Sequence, residues 1–312
     1  MSNKKYDPAA DLHAQEANRL ARDKYNPRTA GEFWNSINIK IEVGDNVFNR
    51  LRTRYKSDAA TPLFISRSKI EIFLKCPRCF YFIMKYGFRR PQPFELSLNK
   101  LVDTCCKNDM DYCRKHDIIH PIFEENNVEL KPYIPDNLQT IKEWRDDMKA
   151  YIGAYYLYEK YNWLLCGIVD DIMVNEDGGL VVIDFKSTSK FEDINSFDDV
   201  SFGAGLKVQL EWYSWLFLQM GFEVENTAYL IYYNAVKDKH LQPDEDFSLM
   251  RFRRTLVPVE CELDWIEPTL EKMYQCLEGP TPPEQQSYQD KYKERNKCDQ
   301  CAYLNMYEEL NS

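Results

Sequence analysis

Two strand-length apolar runs constrain this chain more than any other feature. Residues 164–174, LLCGIVDDIMV, and 180–185, LVVIDF, are rich in β-branched residues and flank the turn sequence NEDGG. They read as an antiparallel hairpin. With the turn centred on Asp177, Asp170 falls opposite Asp184 and Ile168 opposite Lys186. Side chains alternate along a strand and cross-strand partners share a face, so Asp170, Asp184 and Lys186 converge on one patch. Carboxylates about 5 Å apart repel unless a cation lies between them. Oxygen donors suit Mg²⁺ or Mn²⁺, an ion that activates water and polarises a phosphoryl oxygen. Lys186 would position or deprotonate the attacking water, or neutralise charge building on a phosphate.

The rest of the chain supplies a frame for that hairpin. Residues 1–60 are polar and charged and read as an N-terminal extension with a helix through ADLHAQEANRLARDKY. Ser68 and Glu71 form the pattern of a capping box, opening a helix whose face carries Ile70, Phe73 and Leu74. Residues 94–116 and 138–161 read as helices around a Pro-containing loop, together a helical insert at about 100–160. After the hairpin, a helix runs from about Ala204 to Met220 with Gly221 as its cap, then TAYLIYYNAV is a strand. From Glu262 the tail returns to helix. Residues 61–312 thus form one α/β domain ending in a cysteine pair.

Charge and cysteine usage bound the setting. The chain has 312 residues, a net charge of −10 and ten cysteines. No apolar run is long enough for a membrane span, and the opening MSNKKYDPAADLH has no apolar stretch of a secretory signal. A cytoplasmic protein with reduced thiols is expected. Between Ser66 and Lys100, eight Lys or Arg stand against two Glu, and a second basic run, KYKERNK, ends at Lys297. Such stripes can bind phosphates locally, because salt confines their field to about 8–10 Å. Cys76-x-x-Cys79 and Cys298-x-x-Cys301 lie beside these two runs. Their four thiolates fit a structural Zn²⁺ or an iron–sulfur cluster that would clasp the basic segments together. The other six cysteines read as core, as do Phe80, Tyr81, Phe82 and Tyr303, with stacking on single-stranded bases as the alternative for these aromatics.

The order GIVDDI, VIDFKST and a helix bearing QLEWYSW resembles the PD-(D/E)XK nuclease superfamily, in particular its RecB-like exonuclease branch, including CRISPR-associated RecB-like nucleases. The resemblance covers about Ser66 to Tyr303. It implies a restriction-endonuclease-like αβββαβ core, a central mixed sheet flanked by helices. It implies metal binding by Asp170, by Asp184 and by the backbone carbonyl of Phe185, with Lys186 assisting the water. Gln209 and Tyr213 match a Gln-x-x-x-Tyr motif that holds the substrate strand or orders the site. Where the branch has a His or Glu on an upstream helix, this chain offers Asp103, with His116 further along. The branch also uses one upstream and three downstream cysteines for a [4Fe–4S] cluster. Here Cys79 would replace the last of these, whose position holds Tyr307. The function so implied is a Mg²⁺- or Mn²⁺-dependent deoxyribonuclease acting on single-stranded DNA or DNA with free ends. Repair, recombination, phage replication or CRISPR adaptation would be its setting, with a helicase as partner, since the chain has no P-loop motif. The alternative is a DNA-binding scaffold without turnover.

Overall fold

The computed structural model describes residues 54–57, 59–88, 97–145, 153–200, 203–237, 242–244, 247–285, 287–289, 295–298 and 300–301. The helix expected before residue 54, Tyr303 and Tyr307 lie outside these residues. The chain opens with β1 (Leu63–Ser66), α1 (Arg67–Lys75), α2 (Pro77–Tyr86), α3 (Ser97–His116), α4 (Pro121–Glu125), β2 (Lys131–Pro132) and α5 (Gln139–Arg145). It continues through β3 (Ala154–Tyr158), β4 (Trp163–Gly167), β5 (Asp171–Val174), β6 (Leu180–Thr188), α6 (Gly203–Gln219) and β7 (Thr227–Ala235). The last elements are β8 (Gln242–Asp244), β9 (Phe247–Leu249), β10 (Phe252–Glu260), α7 (Ile266–Glu278), β11 (Ser287–Gln289) and β12 (Arg295–Lys297). The described residues fall into two compact units. One holds those of 97–154 and 168–262, the other those of 54–88, 155–167 and 263–301.

The first unit is built on a mixed five-stranded sheet in the order β10-β7-β6-β5-β2. Only β6 and β7 pair in parallel. The run LVVIDF of β6 is buried throughout, as befits a central strand covered on both faces. Ile183, Phe185 and Ile231 point to one face and pack with Cys106 and Met110 of α3 and Phe123 of α4. The alternate set, Asp184 and Lys186 on β6 with Leu230 and Tyr232 on β7, faces α6, whose Gln209 bonds Asp184. Helix α6 is buried almost all round from Leu210 to Phe217, the pattern of a helix enclosed by its unit. Gly221, at φ +93°, ends it, and the Phe222 N–H bonds back to the Phe217 carbonyl in the expected cap. The chain is thus mixed α/β, with helices on both sides of this sheet.

The hairpin register is as the turn requires: Asp171 pairs with Ile183 and Val174 with Leu180. The Asn175 side chain accepts from the Gly179 N–H at 2.7 Å and closes the turn, with Gly178 at φ +92°. The upstream run is not one strand, however. Gly167 ends β4, which pairs in parallel with β1 in a separate sheet ordered β1-β4-β3. Ile168 therefore has no place opposite Lys186, and the Val169 N–H bonds to the Trp144 carbonyl instead.

Three further expectations change. Among its described residues the segment 138–161 is helical over α5 and a short 3-10 turn at Glu159–Tyr161; AYYLY forms β3, where aromatic side chains suit a pleated surface. Ser68 does not cap: it lies inside α1, Ser66 stands at the cap without a side-chain cap bond, and Glu71 is drawn to Arg67 and Lys75. Leu74 is exposed, so the buried face of α1 is Ile70 and Phe73. The nine-residue β10 was silent in the sequence because FRRTLVPVE mixes charges with Pro258. An edge strand tolerates both, and β10 lies at the sheet edge.

Candidate active site

Asp170 sits one residue ahead of β5, just outside the ladder, yet opposite the residues the register predicts. Its Oδ2 accepts the Phe185 N–H at 2.8 Å. On β6, Asp184 is 1% exposed. Its Oδ1 accepts from Gln209 Nε2 at 2.5 Å, and its Oδ2 contacts the Lys186 ammonium. Lys186 also lies 3.3 Å from the Phe185 carbonyl oxygen. The Asp170 and Asp184 carboxyls are close enough for each to shift the other's ionisation. Asp103, on α3, joins through Lys107, whose ammonium is 2.9 Å from Asp103 Oδ2 and 3.4 Å from Asp170 Oδ1. The three expected carboxylates and Lys186 are therefore gathered in one unit.

The electrostatics separate the carboxylates. Burial, then the Asp170 charge, pushes Asp184 above the usual carboxylate range against the pull of Lys186. Burial also opposes ionisation of Asp170, but Lys107, Lys186 and the Phe185 N–H outweigh it and hold it low. Asp103 is raised by burial and by Asp170. Burial opposes the charge of Lys107, but Asp170 and Asp103 more than compensate and stabilise its protonated form. Two carboxyls this strongly coupled need a proton or a cation between them. The donors here are all oxygen: Asp103, Asp170, Asp184 and the Phe185 carbonyl. That set fits Mg²⁺ or Mn²⁺, and two lysines leave one negative charge of the three carboxylates to be matched.

Lys107 escaped the sequence reading, although an Asp with a Lys four residues on is a visible helical pair. The doublet Asp170-Asp171 held a second surprise. Asp171 is fully buried and turns away, bonded to Arg114 Nη2 at 2.5 Å and near Arg145 Nη1 at 3.2 Å. Asp111 closes the cluster with the same two arginines. His116 does not belong to the site. It lies thirteen residues after Asp103, about 20 Å along α3, with its ring tilted against that of Tyr112. Tyr213 is one turn beyond Gln209 and buried.

In the second unit, Cys76 stands at the junction of α1 and α2, and Cys79 on the first turn of α2. With Cys298 and Cys301 they form one buried group, all four sulfurs within 4.8 Å of one another. Cys79 lies 3.3 Å from Cys298 and 3.4 Å from Cys301, and Cys76 lies 3.6 Å from Cys301. These exceed a disulfide bond and suit ligation of a shared centre. Hydrogen bonding to Cys76, then burial, raises the Cys79 pKa, and burial lifts Cys301 to about 12. Of the remaining cysteines, Cys105 is exposed and Cys261 and Cys276 only half-buried, so the expected core role holds for Cys106, Cys113 and Cys166. Phe80 and Tyr81 are core residues.

Comparison with known proteins places these observations. A solved structure described as "Crystal structure of SSO0001" is similar at 15% identity and a TM-score of 0.29, covering 72% of this chain and 79% of that one. No curated protein matches. The model of the PD-(D/E)XK nuclease superfamily matches residues 112–306, which include Asp170, Asp184, Lys186, Gln209 and the second cysteine pair. A match over more than half of the chain is decisive, and this chain belongs to the PD-(D/E)XK nuclease superfamily.

Proposed function

We propose that this chain is a divalent-metal-dependent deoxyribonuclease, an exonuclease working on single-stranded DNA or DNA with free ends. The observation that carries the reading is the convergence of Asp170, Asp184 and Lys186 on one end of the sheet, with Asp103 close enough to share Lys107. Asp103, Asp170, Asp184 and the Phe185 carbonyl would hold Mg²⁺ or Mn²⁺, which when bound lowers the pKa of a water and polarises a phosphoryl oxygen. Gln209 fixes the orientation of Asp184 by donating to Oδ1. Lys186, tethered between Asp184 and the Phe185 carbonyl, orients the attacking water and neutralises charge on the phosphate. Tyr213, on the same helix as Gln209, is assigned with it to the substrate strand. Residues 61–312 serve as the nuclease domain and residues 1–60 as an extension, in repair, recombination, phage or CRISPR-related processing.

The cysteine group is the domain's structural centre. Tetrahedral Zn²⁺ with ligands at about 2.3 Å places its sulfurs roughly 3.8 Å apart, near the spacing here. A [4Fe–4S] cluster spreads its thiolates wider, since each binds a different iron. The spacing therefore favours zinc. Elemental analysis and the visible spectrum of protein purified without oxygen distinguish the two.

The activity test is degradation of end-labelled single- and double-stranded DNA with Mg²⁺, Mn²⁺ or EDTA, beside Asp184→Ala. Metal-dependent cleavage that the variant lacks is expected, with the product ladder giving polarity. Tight DNA binding with no cleavage under any condition would leave the scaffold reading in its place.

A further inference from the structure

The sheet that carries the candidate site continues into a second, unassigned surface. Beyond Lys186, the same face of the sheet carries Thr188, its partner Asn234 on β7, and Arg253, the partner of Asn234 on β10. Paired residues share a face, so Arg253 looks out on the side of Asp184 and Lys186. Asn234 is two residues past Tyr232, the partner of Lys186, or about 7 Å further along the sheet. Its amide is fixed from both ends: Oδ1 accepts the Lys190 N–H at 3.0 Å and Nδ2 donates to the Glu192 carbonyl at 3.2 Å. That anchoring holds the loop after β6 over the strand ends.

A cavity of about 200 Å³ opens there, lined by Lys190, Phe191, Asn234, Lys237 and Arg253 among others. Among the described residues that line it, three are cations and none is a carboxylate. Arg253 pairs with Asp193 on the rim of the adjoining cavity, and the Lys190 ammonium donates to the Asp199 carbonyl oxygen at 2.7 Å. Phe191 is 82% exposed, and the Lys237 ammonium lies 3.3 Å above its ring centroid. An exposed aromatic ring among cations suits a ligand with both phosphates and flat bases.

We propose that Phe191, with Lys190, Lys237 and Arg253, forms a shelf for single-stranded nucleic acid, Phe191 stacking on an unpaired base while the cations contact flanking phosphates. A duplex keeps its bases stacked on one another and cannot use the ring, so the shelf selects single strands for the nearby carboxylates. The proposal rests on the nuclease reading only for what happens after binding.

The test is equilibrium binding of labelled oligothymidylate, and of a duplex of equal length, to the full chain in EDTA. Phe191→Ala should weaken the single strand about tenfold and the duplex less than twofold. Phe191→Trp should restore it. Because the side chain is exposed, the thermal midpoint of Phe191→Ala should match that of the wild type. Lys190→Ala with Lys237→Ala should flatten the salt dependence of binding by up to two phosphate contacts. Equal losses on both substrates, or none on the single strand, would overturn the shelf. The cleavage assay is read separately: a wild type that binds with this pattern but cuts nothing keeps the shelf and removes the nuclease reading, whereas cleavage with an indifferent Phe191→Ala does the reverse.

Discussion

The carboxylate site and the cysteine group are both clusters of potential ligands, but they are built on opposite terms. The first gathers hard oxygen donors around two ammonium groups, and its charges are partly compensated before any metal arrives. The second gathers four soft sulfurs, all buried. A site that must admit and release a substrate needs a partner for its charges when empty. A site that only holds the chain together can be closed and left to its metal. The proposed function gives turnover to one and folding to the other.

The sharpest way to break that assignment is to exchange the readouts. Lys186→Ala should lower cleavage about 10²- to 10⁴-fold while the thermal midpoint stays within a few degrees, since Lys186 is partly exposed and packs no core. Cys79→Ser should do the opposite. It removes a ligand, and with it several kcal/mol of stability that metal binding supplies to folding, so the protein should melt early or be recovered insoluble. Activity per folded molecule should persist. If Lys186→Ala unfolds the chain, or Cys79→Ser kills cleavage in a folded protein, the division of labour is wrong.

How much of this was readable in advance follows from which forces were local. The hairpin register came from a turn and a period-two pattern, both confined to neighbouring residues, and it brought Asp170 to Asp184 correctly. The two cysteine pairs were visible for the same reason. The break at Gly167 was not visible, because β4 is claimed by β1, a hundred residues upstream, and no local signal records that pairing. Nor did AYYLY announce a strand, since an aromatic run fits a buried helix face as well as a sheet. The Asp170-Asp171 doublet shows the limit most clearly. Which of two adjacent carboxylates serves the site depends on arginines 57 and 26 residues away.

That doublet gives a second, smaller test of the comparison. Asp171→Asn keeps the shape but leaves Arg114 and Arg145 short of a buried counter-charge, and should cost about 3–5 kcal/mol. Asp170→Asn, one residue away, removes a partly exposed carboxylate that Lys107, Lys186 and the Phe185 N–H hold ionised, and should cost less stability than Asp171→Asn while abolishing cleavage. Denaturant midpoints and activity, measured on both, decide it. Equal stability losses would mean that Asp170 is as structural as Asp171.

The smallest expected effect lies on the far side of the sheet and separates acid unfolding from acid inactivation. His120 is 1% exposed, and its Nδ1 accepts the Ile122 N–H at 3.2 Å to cap α4. Burial, then the nearby Arg254 charge, lowers its pKa to about 4. Above pH 6.5 the ring is neutral folded or unfolded and contributes no pH dependence. Below it the unfolded chain takes up a proton that the folded chain refuses until about pH 4, so stability falls as the pH drops through that window. The slope is about 1.4 kcal/mol per pH unit, or about 3 kcal/mol in all. Asn at this position keeps a capping acceptor but cannot titrate. His120→Asn should therefore begin less stable at pH 7, having lost the ring packed near Phe123, yet show a shallower decline between pH 6.5 and 4. Parallel declines in the two proteins would shift the acid sensitivity to the carboxylate clusters.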